Sequence, residues 1–147
     1  MEKEVLRDSI FVSDVYYVDA PSHVKLAKQV SKEYLSNSTH EIDKIYPVKM
    51  TDNFAQDEKI KPLKFFILNS VLNVLNQQGY DLRNGTVHML DMWCQEHSMY
   101  SSMDYHVHGG AIMSGFYFLD CPDESSRLVF HDPRSSRSEE HTSELQS

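Results

Sequence analysis

Several protein classes are excluded by what this sequence lacks. No apolar run approaches the ~20 residues that a membrane-spanning helix needs. The opening Met1-Glu2-Lys3-Glu4 has none of the apolar core of a signal peptide. Positive charge is short: 14 Lys and Arg face 22 Asp and Glu, for a formal net charge of −8. A protein that grips a nucleic-acid backbone needs a basic patch, and this balance argues against one. Only two cysteines are present, Cys94 and Cys121, with no C-x-x-C spacing and no disulfide framework. Internal repeats and low-complexity segments are missing as well. The expectation is a cytoplasmic protein in a reducing compartment, with no membrane and no nucleic-acid partner.

The last eleven residues, Arg137 to Ser147, carry no apolar periodicity, and Leu145 is their only large apolar side chain. Their sequence matches the in-frame translation of a high-throughput sequencing adapter. They are therefore read as a non-native tail and set aside, His141 with them. That tail holds three glutamates and one arginine, so residues 1–136 carry a formal charge of −6. About 136 residues suffice for one domain with a real core.

Local patterning organises that domain. Residues 9–18 are β-branched and aromatic and predict a strand. Asp19-Ala20-Pro21-Ser22 offers capping oxygens and an early proline for a helix running to about Leu35, with Val24, Ala27, Val30 and Tyr34 on one stripe. Residues 40–56 are polar and irregular, apart from a short strand near 46–50. A second helix starts around Pro62 and closes at Gly79. Its apolar face is Leu63, Phe66, Ile67, Val71, Val74 and Leu75. Beyond the Asn84-Gly85 turn the pattern is strand-like at 86–95, 103–108, 111–119 and 127–131. Helices followed by a run of strands predict an α+β protein, its helices packed on one face of a mostly antiparallel sheet. Closely spaced strands also suit a barrel or jelly roll.

Chemistry concentrates at Tyr105-His106-Val107-His108. Alternate residues of a strand share a face, with Cα atoms ~6.5–7 Å apart, so His106 and His108 can converge on one first-row metal ion. Asp104 shares that face, but on a regular strand its Cα lies ~13 Å from that of His108, too far for a short carboxylate to complete the set. A third ligand is expected from another strand, and His131 stands on a later one. The competing reading is two ordinary strand histidines in solvent. His23, His40, His88 and His97 have no partner at ligand spacing and are read as surface or structural. The apolar stretch Phe116 to Leu119 reads as a core strand, and Trp93 as packing.

Trp93, Tyr105, His106-Val107-His108, Ser114-Gly115-Phe116-Tyr117-Phe118-Leu119 and Phe130-His131-Asp132-Pro133-Arg134 follow one another in order. This series resembles a family of uncharacterised phage and bacterial proteins assigned to the iron(II)/2-oxoglutarate-dependent oxygenase superfamily. The likeness covers roughly the last third of residues 1–136. It implies an incomplete double-stranded β-helix (jelly roll) with N-terminal buttressing helices, residues 1–136 forming the N-terminal part of one oxygenase-like domain. It further implies Fe(II) as cofactor and 2-oxoglutarate as co-substrate, with His106 as first metal ligand. His108 stands where the superfamily usually has a carboxylate, which would leave the iron one unit more positive. The distal histidine and the basic residue that pairs with the co-substrate would lie downstream of Arg134. The expectation is thus a truncated oxygenase, inactive as it stands.

Two departures from the family pattern follow. Gly109 replaces the proline after the second histidine, and the Tyr-Tyr pair is Tyr117-Phe118. Only one of that pair can face the barrel interior. If it is Tyr117, its hydroxyl would bind the co-substrate carboxylate, whereas Ser114 has the parity of Phe118. Two alternatives remain: a cupin-like metalloprotein, disfavoured because residues 109–113 hold no carboxylate, and a non-catalytic jelly-roll module. None of these motifs specifies a substrate or an oligomeric state.

Overall fold

The computed structural model describes residues 14–42, 44–45, 47–125 and 128–130. Residues 14–18 run without regular structure and expose Val15, Tyr16, Tyr17 and Val18, so no strand forms there; the rest of the expected 9–18 strand lies outside the described residues. A single 3₁₀ turn, Pro21–His23, leads into helix α1, Val24–Asn37. Pro21 occupies the position where a missing N–H costs nothing, while the expected capping oxygens are unused. Ala27, Val30 and Ser31 are buried on α1, which agrees with the expected stripe.

After α1 come a short strand β1, Val48–Met50, a 3₁₀ turn, Glu58–Ile60, and helix α2, Lys61–Gln77. Pro62 sits in the first turn of α2. Its end is a complete Schellman motif. Gly79 has φ +83°, its N–H donates to the Asn76 carbonyl at 3.1 Å, and the Tyr80 N–H donates to the Leu75 carbonyl at 3.0 Å. A residue with a Cβ is strained at that φ, which is why glycine stands there.

Strand β2, Gln95–His97, pairs antiparallel with β1, Val48 opposite His97 and Met50 opposite Gln95. Among the described residues this is the only sheet. The expected strands at 103–108 and 111–119 run as chain without ladder pairing, and 86–95 joins the sheet only at its last residue. Strand-like alternation persists all the same. Met92, Cys94, Tyr117 and Leu119 pack against the core, while Trp93, Phe116 and Phe118 are exposed.

The core gathers Ala27 and Val30 from α1, Phe54 and Ile60 from the connection, and Leu63 from α2. A polar clamp on its rim ties α1 to the start of α2. Asp57 accepts from the Lys59 N–H at 2.8 Å and from the Tyr34 hydroxyl at 3.0 Å, and Lys59 Nζ meets Glu33 at 2.6 Å. The Lys59 amide, then the Tyr34 hydroxyl, hold the Asp57 carboxyl below its ordinary pKa; the hydrogen bond to Asp57 raises that of Tyr34.

The buried Ile60 side chain fills the junction of these elements. Ile60→Ala is expected to cost about 2–5 kcal/mol in urea unfolding, from lost transfer energy plus a cavity. The clamp sets a pH window. Asp57 titrates lower folded than unfolded, so its contribution is full above the ordinary carboxylate pKa of 3.8 and fades as pH falls through the depressed value. Tyr34 titrates higher folded, so its contribution is full below 10.0 and is lost as pH rises through the raised value. Stability measured against pH should fall at both ends, and Asp57→Asn should flatten the acid limb.

Candidate functional site

The platform under the site is an unusual continuation of the sheet. Beyond β1 the Thr51 N–H donates to the Cys94 carbonyl at 3.0 Å, in register with the ladder. The reciprocal bond is made by a side chain: the Cys94 N–H donates to Thr51 Oγ1 at 2.9 Å. Two residues on, the Met92 N–H donates to Asn53 Oδ1 at 3.1 Å, and the Phe54 N–H donates to the Met92 carbonyl at 2.8 Å, one residue out of the β1–β2 register. Asn53 Nδ2 also donates to the Leu90 carbonyl at 3.2 Å. Side-chain oxygens of Thr51 and Asn53 thus stand in for backbone carbonyls across a bulge, and the N–H and C=O of both Met92 and Cys94 are satisfied. With Met92 and Cys94 packed on the helices, Trp93 between them is turned outward.

The two imidazoles lie on this outward side. His108 rests against Trp93, ring centroids 5.8 Å apart and planes 31° from parallel. His106 meets His108 edge to face, centroids 5.0 Å apart. The expected same-face pair is therefore brought together. His106 Nδ1 lies 2.8 Å from the Asp104 carbonyl. A carbonyl can only accept, so Nδ1 carries a proton, and in the neutral ring Nε2 is the nitrogen with the lone pair. Ligating histidines are usually oriented in this way, their second nitrogen donating to a carbonyl or carboxylate. The Asp104 carboxylate turns to the Tyr105 N–H at 2.7 Å. Behind His108 the chain reverses at Gly109-Gly110, where Gly110 has φ +80°.

Two neutral imidazoles suit a first-row divalent cation. With metal–nitrogen bonds of ~2.1 Å, each ring centroid sits ~3.2 Å from a shared ion, and a ligand angle near ~100° puts the centroids ~5 Å apart. The observed separation fits that requirement. Among the described residues no third His, Cys, Asp or Glu joins them to form a three-ligand group. The expected contributions of His131 and of the segment to Arg134 lie outside the described residues.

Tyr117 is placed elsewhere. It packs against the helix core, and its hydroxyl donates to the Ala20 carbonyl at 2.5 Å, just before α1. Lys28 Nζ and Asp120 add an ion pair at 2.9 Å between α1 and the same segment. Phe116 and Phe118 stack on each other at 6.4 Å on the opposite side of that segment, the side whose parity Ser114 shares. The other described histidines have local partners: His23 packs on Phe66, His40 meets Asp52 at 2.8 Å, His88 meets Thr86 at 2.9 Å, and His97 Nδ1 lies 3.2 Å from Ser101 Oγ. Two surface clefts, beside the first turn of α2 and beside β1, include neither His106 nor His108 nor Tyr117.

No protein-family model, no curated protein and no solved structure matches the chain. No helix among the described residues is long and apolar enough to cross a membrane.

The structure assigns Tyr117 a tying role that its sequence context did not disclose. Tyr117→Phe should cost about 1 kcal/mol of stability in chemical unfolding, the worth of one net hydrogen bond. A measured change below a few tenths of a kcal/mol would show that the Ala20 carbonyl is equally well served by water.

Proposed function

We propose that the chain belongs to an Fe(II)/2-oxoglutarate-dependent oxygenase of the hydroxylase type, with His106 and His108 as two of its metal ligands. The observation that carries this reading is the imidazole pair: 5.0 Å between centroids, with His106 Nδ1 on the Asp104 carbonyl, which leaves Nε2 as the nitrogen available to a metal. The ordered motifs from Trp93 to Arg134 supply the reaction class. Iron(II) in such a site contributes open coordination positions and redox chemistry. His106 and His108 are the residues of this chain that would hold the ion. His106 would do so with its tautomer set by the backbone, and His108 would bring an imidazole where a carboxylate would have brought charge.

A second reading, a non-catalytic jelly-roll module, is favoured by one observation. The Tyr117 hydroxyl, expected on the co-substrate carboxylate, is committed to Ala20 on the helix side.

Anaerobic equilibrium dialysis with Fe(II), and calorimetry with Ni(II) as an air-stable substitute, decide the matter. One ion per chain is expected, and His106→Ala and His108→Ala should each weaken binding by at least about tenfold, the lower bound typical for perturbing a ligand's own support. Binding of one ion that both variants weaken favours the oxygenase site over the non-catalytic module. Unchanged binding in the double alanine variant removes both histidines from the site and the proposal with them.

A further inference from the structure

We propose that Trp93 is the positioning residue for His108: its indole face takes the place of the hydrogen bond that orients His106. This inference rests on the metal-binding reading above and concerns how that site is built.

The two imidazoles are held by different means. His106 has a backbone acceptor for Nδ1 at 2.8 Å. Among the described residues His108 has no hydrogen-bond partner, and its ring contacts are Trp93 at 5.8 Å and His106 at 5.0 Å. Its backbone leads directly into Gly109-Gly110, and a Cβ added at either glycine would meet nothing within 4 Å, so no neighbouring packing confines that turn. A ring on so loose a backbone needs an external surface to fix its rotation.

Trp93 is suited to be that surface. Its backbone neighbours Met92 and Cys94 are pinned by four hydrogen bonds to residues 51–54, at 2.8, 3.0, 2.9 and 3.1 Å, and their side chains are packed on the helix core. Strand parity then points the indole away from the helices, towards His108. The 31° tilt and 5.8 Å separation lie in the range of an offset aromatic stack. The indole is 37% exposed, so most of its surface is covered while its contact with the imidazole stays at the surface. A residue that served the core alone would have the opposite parity.

Trp93 is the chain's one tryptophan, so tryptophan emission reports on this position alone. The experiment titrates Ni(II), a paramagnetic quencher, into the full chain and into Trp93→Ala, Trp93→Phe, His108→Ala and the Trp93→Ala/His108→Ala double variant. Affinity is read by calorimetry and folding by circular dichroism. Saturable quenching of Trp93 is expected in the parent chain. Trp93→Ala should weaken Ni(II) about tenfold, in line with loss of a ligand's supporting contact, and Trp93→Phe should recover most of it by restoring a ring face. In the His108→Ala background, Trp93→Ala should change affinity by less than about twofold, because Trp93 then has nothing to position. Equal losses in both backgrounds would make Trp93 a structural residue and overturn the assignment. So would a Trp93→Ala chain that is folded and binds as the parent does. If Trp93→Ala fails to fold, Trp93→Leu, which fills the space without a ring face, takes its place against Trp93→Phe, with the same two outcomes. Absence of Ni(II) binding to the parent chain overturns the metal-site reading itself and this role along with it. Parent binding that is indifferent to Trp93 overturns the positioning role alone.

Discussion

The joint between residues 51–54 and 92–94 governs what the rest of the chain can do. On one side it carries Phe54, which belongs to the helix core. On the other it carries Trp93, against which His108 rests. Between them run four hydrogen bonds, two of them accepted by side chains rather than by carbonyls. Backbone ladders are indifferent to sequence, but Thr51 Oγ1 and Asn53 Oδ1 are not. A valine or an alanine at either place would leave an amide of Cys94 or Met92 without a partner. The one-residue offset at Phe54 matters equally. Because side chains alternate, the register decides which of Met92 and Trp93 looks to the helices and which looks out.

The helices give this joint something firm to stand on. α1 and α2 are connected through a buried apolar cluster and through the Tyr34–Asp57–Lys59–Glu33 clamp at its rim. Surface ion pairs alone contribute little. Here the Asp57 carboxylate also caps the 3₁₀ turn that delivers Ile60 into the core, so electrostatics and packing act at the same place. The segment around Tyr117 is then fastened to α1 at two points, by its hydroxyl on Ala20 and by Lys28 on Asp120.

The parts of the molecule that were legible in sequence are those decided locally. Pro62 and Gly79 bracket α2 because one lacks an N–H that the first turn does not need and the other accepts a positive φ; both are properties of the residue itself. The stripe on α1 was legible for the same reason. His106 and His108 share a side because extended chain has a period of two, whether or not it is paired. Among the described residues, strands were overstated at 14–18, 103–108 and 111–119. β-branched and aromatic residues mark chain that can be extended, but ladder bonds need a partner at the right distance, and among the described residues only 48–50 and 95–97 meet that condition. The choice between Tyr117 and Phe118 was open in sequence because it turns on which side the helices occupy. The contact between Trp93 and His108 was invisible for a related reason, since it joins residues fifteen positions apart with no spacing rule between them.

Gly109 follows the second histidine directly, and what it decides there is thermodynamic rather than steric, since nothing lies within 4 Å of where its Cβ would be. A proline there would confine the preceding histidine to extended conformations before any ligand arrived. With glycine that confinement is absent, and ordering the backbone at this position costs more conformational entropy. The second imidazole therefore stands on a stretch of chain that does little to aim it, and the faces it leans on, Trp93 and His106, do the aiming.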